Sequence, residues 1–121
     1  MNNHSPGKPM RYTRRLLVLV VILFSHALQA ATPVFEISIK DHLFFPAEIV
    51  IPPDTKVKLA IKNLDPTPEE FESYELNREK VISGNSQTVI FIGPLAPGEY
   101  PFFGEFYPKT AQGKVLVRVE N

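Results

Sequence analysis

Lys56-Val57-Lys58-Leu59-Ala60-Ile61-Lys62 alternates lysine or alanine with valine, leucine and isoleucine. A period of two places Val57, Leu59 and Ile61 on one side of an extended strand and the lysines on the other, as in a sheet with one buried face. The same alternation appears in Val34–Lys40 and in Lys114-Val115-Leu116-Val117-Arg118-Val119, and shorter apolar runs occupy Glu48–Ile51 and Gln87–Ile92. Proline and glycine separate these runs at Pro46, at Pro52-Pro53-Asp54, at Pro66 and Pro68, and across Gly93-Pro94-Leu95-Ala96-Pro97-Gly98. Proline fixes φ and lacks a donor N–H, so each cluster ends a strand and starts a turn. Short strands punctuated in this way predict an all-β fold, an antiparallel sandwich or barrel. No long segment has helical periodicity.

Residues 1–30 have a different character. Lys8, Arg11, Arg14 and Arg15 precede the apolar run Leu16–Phe24, and small residues follow around Ala27, Ala30 and Ala31. The order basic, apolar, small predicts a secretory signal peptide over 1–30, with the folded domain at 31–121 and a periplasmic destination. A membrane anchor needs roughly 20 apolar residues, and Ser25, His26 and Gln29 interrupt this run. The leader takes four of the 13 basic residues, leaving nine against 13 acids, a net charge of about −4 with histidine neutral. Such a domain is poorly matched to nucleic acid or anionic membrane and better matched to cations. Cysteine is absent, which excludes disulfides and thiolate ligands. About 90 residues bury somewhat over 60% of their unfolded surface, enough for one modest core.

The segment Glu69–Lys80 departs from a generic sandwich. It carries Glu69, Glu70, Glu72, Glu75 and Glu79. In a strand, Glu70 and Glu72 project from one side; in a helical turn over 74–80, Glu75 and Glu79 do so instead. Gathered carboxylates repel unless a cation or a basic side chain neutralises them. Oxygen-rich sites suit hard and borderline cations. The competing reading is a solvated acidic crossover paired with Arg78, Lys80 and Lys62. His42, the one histidine outside the leader, follows a strand beside Asp41, as a metal ligand or as a structural hydrogen-bonding group.

The stretch Gly98–Val117 reads as strand, loop, strand, and its layout resembles the last two strands of a cupredoxin, a small copper-protein sandwich of Greek-key form. The cupredoxin pattern runs Gly-x-Tyr-x-Phe-x-Cys-x-x-His, then a methionine and a glycine. Here Gly104 stands at the cysteine position, Tyr107 at the histidine position and Ala111 near the methionine position; Glu69 or Glu70 stands at the first histidine position. Asp41-His42, Phe45-Pro46, Asn63-x-Asp65, Glu69-Glu70-Phe71-Glu72-Ser73, Arg78-Glu79-Lys80, Pro97-Gly98-x-Tyr100 and Phe103-Gly104-Glu105-Phe106 together are similar to the cupredoxin-like domain of EfeO-type periplasmic iron-uptake proteins, and to its stand-alone version beside Ftr-type iron permeases. The resemblance implies a cupredoxin-like sandwich without type-1 copper ligands. It further implies carboxylate binding of iron or copper, partnership with an iron permease or other uptake components, and ferroxidase activity as the one enzymatic role in view.

Glu72, Glu79, Glu105, Glu70 and Glu75, with His42, are the expected metal ligands. Glu105 enters because it lies at the mouth of the last hairpin. Tyr107 is a packing residue or, less simply, a ferric-iron ligand. The alternative function is a metal-free periplasmic binding module that docks a partner through its aromatic loop end. Nothing in the sequence supports a phosphate loop, an HExxH motif or a Ser/His/Asp set.

Overall fold

A computed structural model describes residues 31–120, together with 2–4 and 6–7. The expected leader lies outside the described residues, apart from those few positions. Nine strands form from Thr32 onward: β1 (Val34–Lys40), β2 (Leu43–Phe45), β3 (Glu48–Ile51), β4 (Val57–Asn63), β5 (Glu69–Ser73), β6 (Arg78–Ile82), β7 (Gln87–Ile92), β8 (Gly98–Gly104) and β9 (Gln112–Val117). They make two sheets, a four-stranded one in the order β2-β1-β4-β7 and a five-stranded one in the order β3-β9-β8-β5-β6. No described residue is helical, so the helical alternative for 74–80 is not taken up: Tyr74–Asn77 turn and Arg78–Ile82 extend.

The sheets are mixed rather than purely antiparallel. β1 runs parallel to β4 and β3 parallel to β9, while the remaining pairs are antiparallel. The cause is the step between β2 and β3, where the chain leaves the first sheet for the second and returns at β4. Parallel neighbours need such a long connection, and alternation within a strand carries no trace of it.

The core lies between the sheets. Val57, Leu59 and Ile61 of β4 are fully buried, as the alternation requires, against Ile37 and Ile39 of β1 and Val115 and Val117 of β9. Three phenylalanines tie the layers together. Phe44 meets Phe102 edge-on at 5.0 Å and Phe71 at 6.2 Å, and Phe71 stacks on Phe102 at 4.9 Å. Phe45 and Phe91 stay exposed.

Two sheet edges meet on one flank. Arg78 of β6 sends its Nε–H to the carbonyl of Phe91 on β7 at 2.8 Å, and Lys56 and Lys58 lie over the Phe91 ring at 4.6 and 5.6 Å. Near the other end of β6, Asn63 holds the loops after β4 and β6: its Nδ2 donates to the carbonyls of Thr67, Ile82 and Ser83, and its Oδ1 accepts from the N–H of Asp65.

Candidate metal centre

β5 is the strand on which the site is built. Phe71 is wholly buried, and its inward placement fixes the pleat, so Glu70 and Glu72 turn to the outer face. In the β5–β6 ladder Glu72 stands directly opposite Glu79 and Glu70 opposite Val81. Two like charges directly opposite each other destabilise an antiparallel pair, so this register is unfavourable without something to offset it.

One carboxylate oxygen from each of Glu70, Glu72 and Glu79 lies within 4.8 Å of the other two. A hard cation holding oxygens at about 2.4 Å spans at most about 4.8 Å between opposite donors, so the three reach a single ion. Among the described residues the ion pairs are His42–Asp65, Lys114–Glu48 and Lys114–Glu99, and none touches the trio. Arg78, a candidate neutraliser, is engaged by the carbonyls of Leu76, Asn77 and Phe91.

The proximity marks Glu70. Its pKa is pushed up to about 7, first by a hydrogen bond with Glu79, then by burial and by the charges of Glu79 and Glu72. The remaining expected ligands stand apart from the trio. Glu75 lies in the β5–β6 turn and is exposed. Glu105 gives its N–H to the carbonyl of Glu70 at 2.9 Å, yet its carboxylate is not among the three.

His42 belongs to a different arrangement. Asp41 and His42 have φ of 53° and 59°, a left-handed pair between β1 and β2. Both N–H groups donate to the carboxylate of Asp65, at 2.8 and 3.0 Å. His42 Nδ1 is 3.6 Å from Asp65 Oδ2, and its ring stacks on Tyr107 at 3.5 Å. Burial would raise the pKa of Asp65, but the N–H bonds from His42 and Asp41 and the charges of His42 and Lys40 outweigh it and hold the group below the usual carboxylate range. The aspartate holds the turn, and the histidine packs on the tyrosine. Asp65→Ala leaves two N–H groups without their acceptor in a left-handed turn and is expected to cost about 2 kcal/mol, read by urea unfolding.

Asp65 and Glu70 pull stability in opposite directions with pH. Asp65 has a folded pKa below its unfolded value of 3.8, so its contribution is present above that value and is lost as acid protonates it. Glu70 binds its proton more tightly folded than unfolded, so stability falls as pH rises from 4.5 to about 7. Glu70→Gln is expected to flatten the decline between these two values and to leave the acid limb in place, which thermal unfolding across pH measures.

Three of the positions matched to copper ligands, Glu69, Gly104 and Ala111, come together in space, while the Tyr107 ring stacks on His42. A Cβ at Gly104 would sit 2.5 Å from the Glu69 carboxyl carbon and Oε2 and 2.7 Å from the Ala111 Cβ. Of the two adjacent glutamates, Glu69 turns inward to the pocket beside Gly104 and Ala111, 1% exposed, and Glu70 outward to the trio. The pocket is filled by protein atoms and holds no sulfur, so a thiolate-copper centre does not fit it.

Residues 14–117 match the cupredoxin-like domain family, and the chain belongs to that family. It is 46% identical over 82 residues to an uncharacterized protein of Rickettsia prowazekii (strain Madrid E), an alignment covering 68% of this chain and 66% of that protein. The chain thus matches just under two thirds of that relative's length. Among solved structures it resembles the metal-binding domain of the Cu(I)-exporting P-type ATPase CopA of Streptococcus pneumoniae, solved with Cu(I), at a TM-score of 0.66 and 18% identity over 77% of this chain and 92% of that one. It also resembles auracyanin A, a blue copper protein of Chloroflexus aurantiacus, at a TM-score of 0.63 and 13% identity over 73% of this chain and all of that one. At these identities the likeness is one of fold.

Proposed function

We propose that this chain lacks type-1 copper ligands and is an accessory protein of periplasmic iron uptake that holds iron or copper on Glu70, Glu72 and Glu79. The observation that carries this reading is the trio itself: one carboxylate oxygen from each of three glutamates, all within 4.8 Å of one another, with no lysine or arginine ion-paired to them among the described residues. Three oxygen donors without sulfur or imidazole favour Fe(III), Fe(II), Cu(II) or Mn(II) over Cu(I). The resemblance to EfeO-type domains supports iron as cargo and an iron permease as recipient. Calorimetric titration with Fe(III), Cu(II) and Mn(II) tests the reading. Micromolar uptake of at least one supports it, and failure of all three removes it. Oxygen-dependent loss of Fe(II) faster than in buffer adds ferroxidase activity; a rate equal to buffer removes that part alone.

A second reading has one observation in its favour. Leu43, Leu64 and Phe106, each next in the chain to a member of the His42–Asp65–Tyr107 group, are 39–45% exposed. They suit a docking module that meets a partner through its loop end. Metal titration separates the two, since docking requires no ion.

A further inference from the structure

We propose that Glu69 is the positioning residue of the carboxylate trio, coupling the loop between β8 and β9 to the metal-binding face. The inference rests on the metal reading above. Glu69 is the most deeply buried acid among the described residues, 1% exposed, and it lies on the opposite side of β5 from the trio. Its Oε1 accepts two N–H groups at 2.9 Å, one from Glu70 and one from Phe106. The carbonyl of Glu70 in turn accepts the N–H of Glu105 at 2.9 Å. Both backbone polar groups of Glu70 are therefore tied, on one side through the Glu69 carboxylate, to consecutive residues of the loop.

The second oxygen shows that the carboxylate is kept at a cost. Oε2 is buried without a hydrogen-bond partner and lies against Gly104, where a Cβ would meet it at 2.5 Å. A buried, half-satisfied carboxylate is unfavourable on its own, and a cavity-filling role would be met as well by an apolar side chain. What an apolar side chain cannot do is bind the two N–H groups at once. Gly104 permits the arrangement, because any side chain there would push the carboxylate aside. When an ion draws the Glu70 side chain outward, the force passes through the Glu70 peptide to Glu69 and so to Phe106. The loop between β8 and β9 is thereby linked to the metal-binding face from the other side of the strand.

Mn(II) titration of four variants of the full chain tests this. Glu69→Ala and Gly104→Ala are expected to weaken uptake about tenfold or more, within the ordinary range of coupling between sites. Glu69→Gln keeps an oxygen for both N–H groups and is expected to stay within about threefold of wild type, a loss below 1 kcal/mol. Ile49→Ala, a core truncation on β3, lowers stability without changing affinity and controls for unfolding. In wild type, Mn(II) is expected to slow amide hydrogen exchange at Phe106. If Glu69→Ala fails to fold, Gly104→Ala and the Phe106 amide decide. Wild-type affinity in both, with no change at Phe106, overturns the inference while the metal reading stands. Glu69→Gln as weak as Glu69→Ala also overturns it, since charge rather than hydrogen bonding would then be the cause. A wild type that takes up no Mn(II), Cu(II) or Fe(III) removes the metal reading, and the inference with it.

Discussion

Glu72→Gln combined with Glu79→Gln is expected to lower metal affinity by about 100-fold or more, because the affinity of an oxygen site follows the number of charged ligands it supplies. The same pair of changes removes two like charges that face each other across the ladder, so unfolding temperature is expected to hold or rise. Opposite signs on the two measurements identify residues retained for binding rather than for stability. Calorimetry and thermal unfolding of one preparation give both. Unchanged affinity would mean that the ion, if bound, sits elsewhere.

Phe71→Ala is expected to be the most damaging single change to the fold, at about 3–5 kcal/mol, the range for emptying a buried phenylalanine site. A domain of this size has only about 5–15 kcal/mol in total, so the variant should be largely unfolded at moderate urea. The loss reaches beyond packing. Phe71 fixes which side of β5 faces inward, and a slip by one residue would send Glu70 and Glu72 into the core. Even a folded fraction would hold the trio loosely. Wild-type urea resistance would show that the Phe44–Phe71–Phe102 cluster is not the keystone of the two layers.

Much of this was legible in the sequence, for physical reasons that differ by region. Val34–Lys40, Lys56–Lys62 and Gln87–Ile92 appear as strands because one face is buried and the other wet. Arg78–Ile82 was hidden because, at a sheet edge, only Ile82 is buried, so no alternation betrays a strand. The three residues of β2 are too short for any period. Glu70 and Glu72 follow from alternation alone, whereas Glu79 joins them through a register set by the Tyr74–Asn77 turn. Glu75 lies exposed in that turn, outside the trio. Glu105 follows directly on β8, where its peptide rather than its carboxylate reaches Glu70. Adjacent glutamates 69 and 70 look alike in a chain of letters; only the pleat assigns one to each side.

The guanidinium that joins β6 to β7 has a consequence for how the protein behaves when concentrated. Each of those strands borders its sheet, and an unpaired border is where a foreign strand would add. A positive group bound to the Phe91 carbonyl, with two lysines over the ring of the same residue, occupies that approach and repels another basic edge. Strand addition and fibril-like self-association are thus discouraged on this flank, which leaves β2 and β3 as the borders where an incoming chain would meet less resistance.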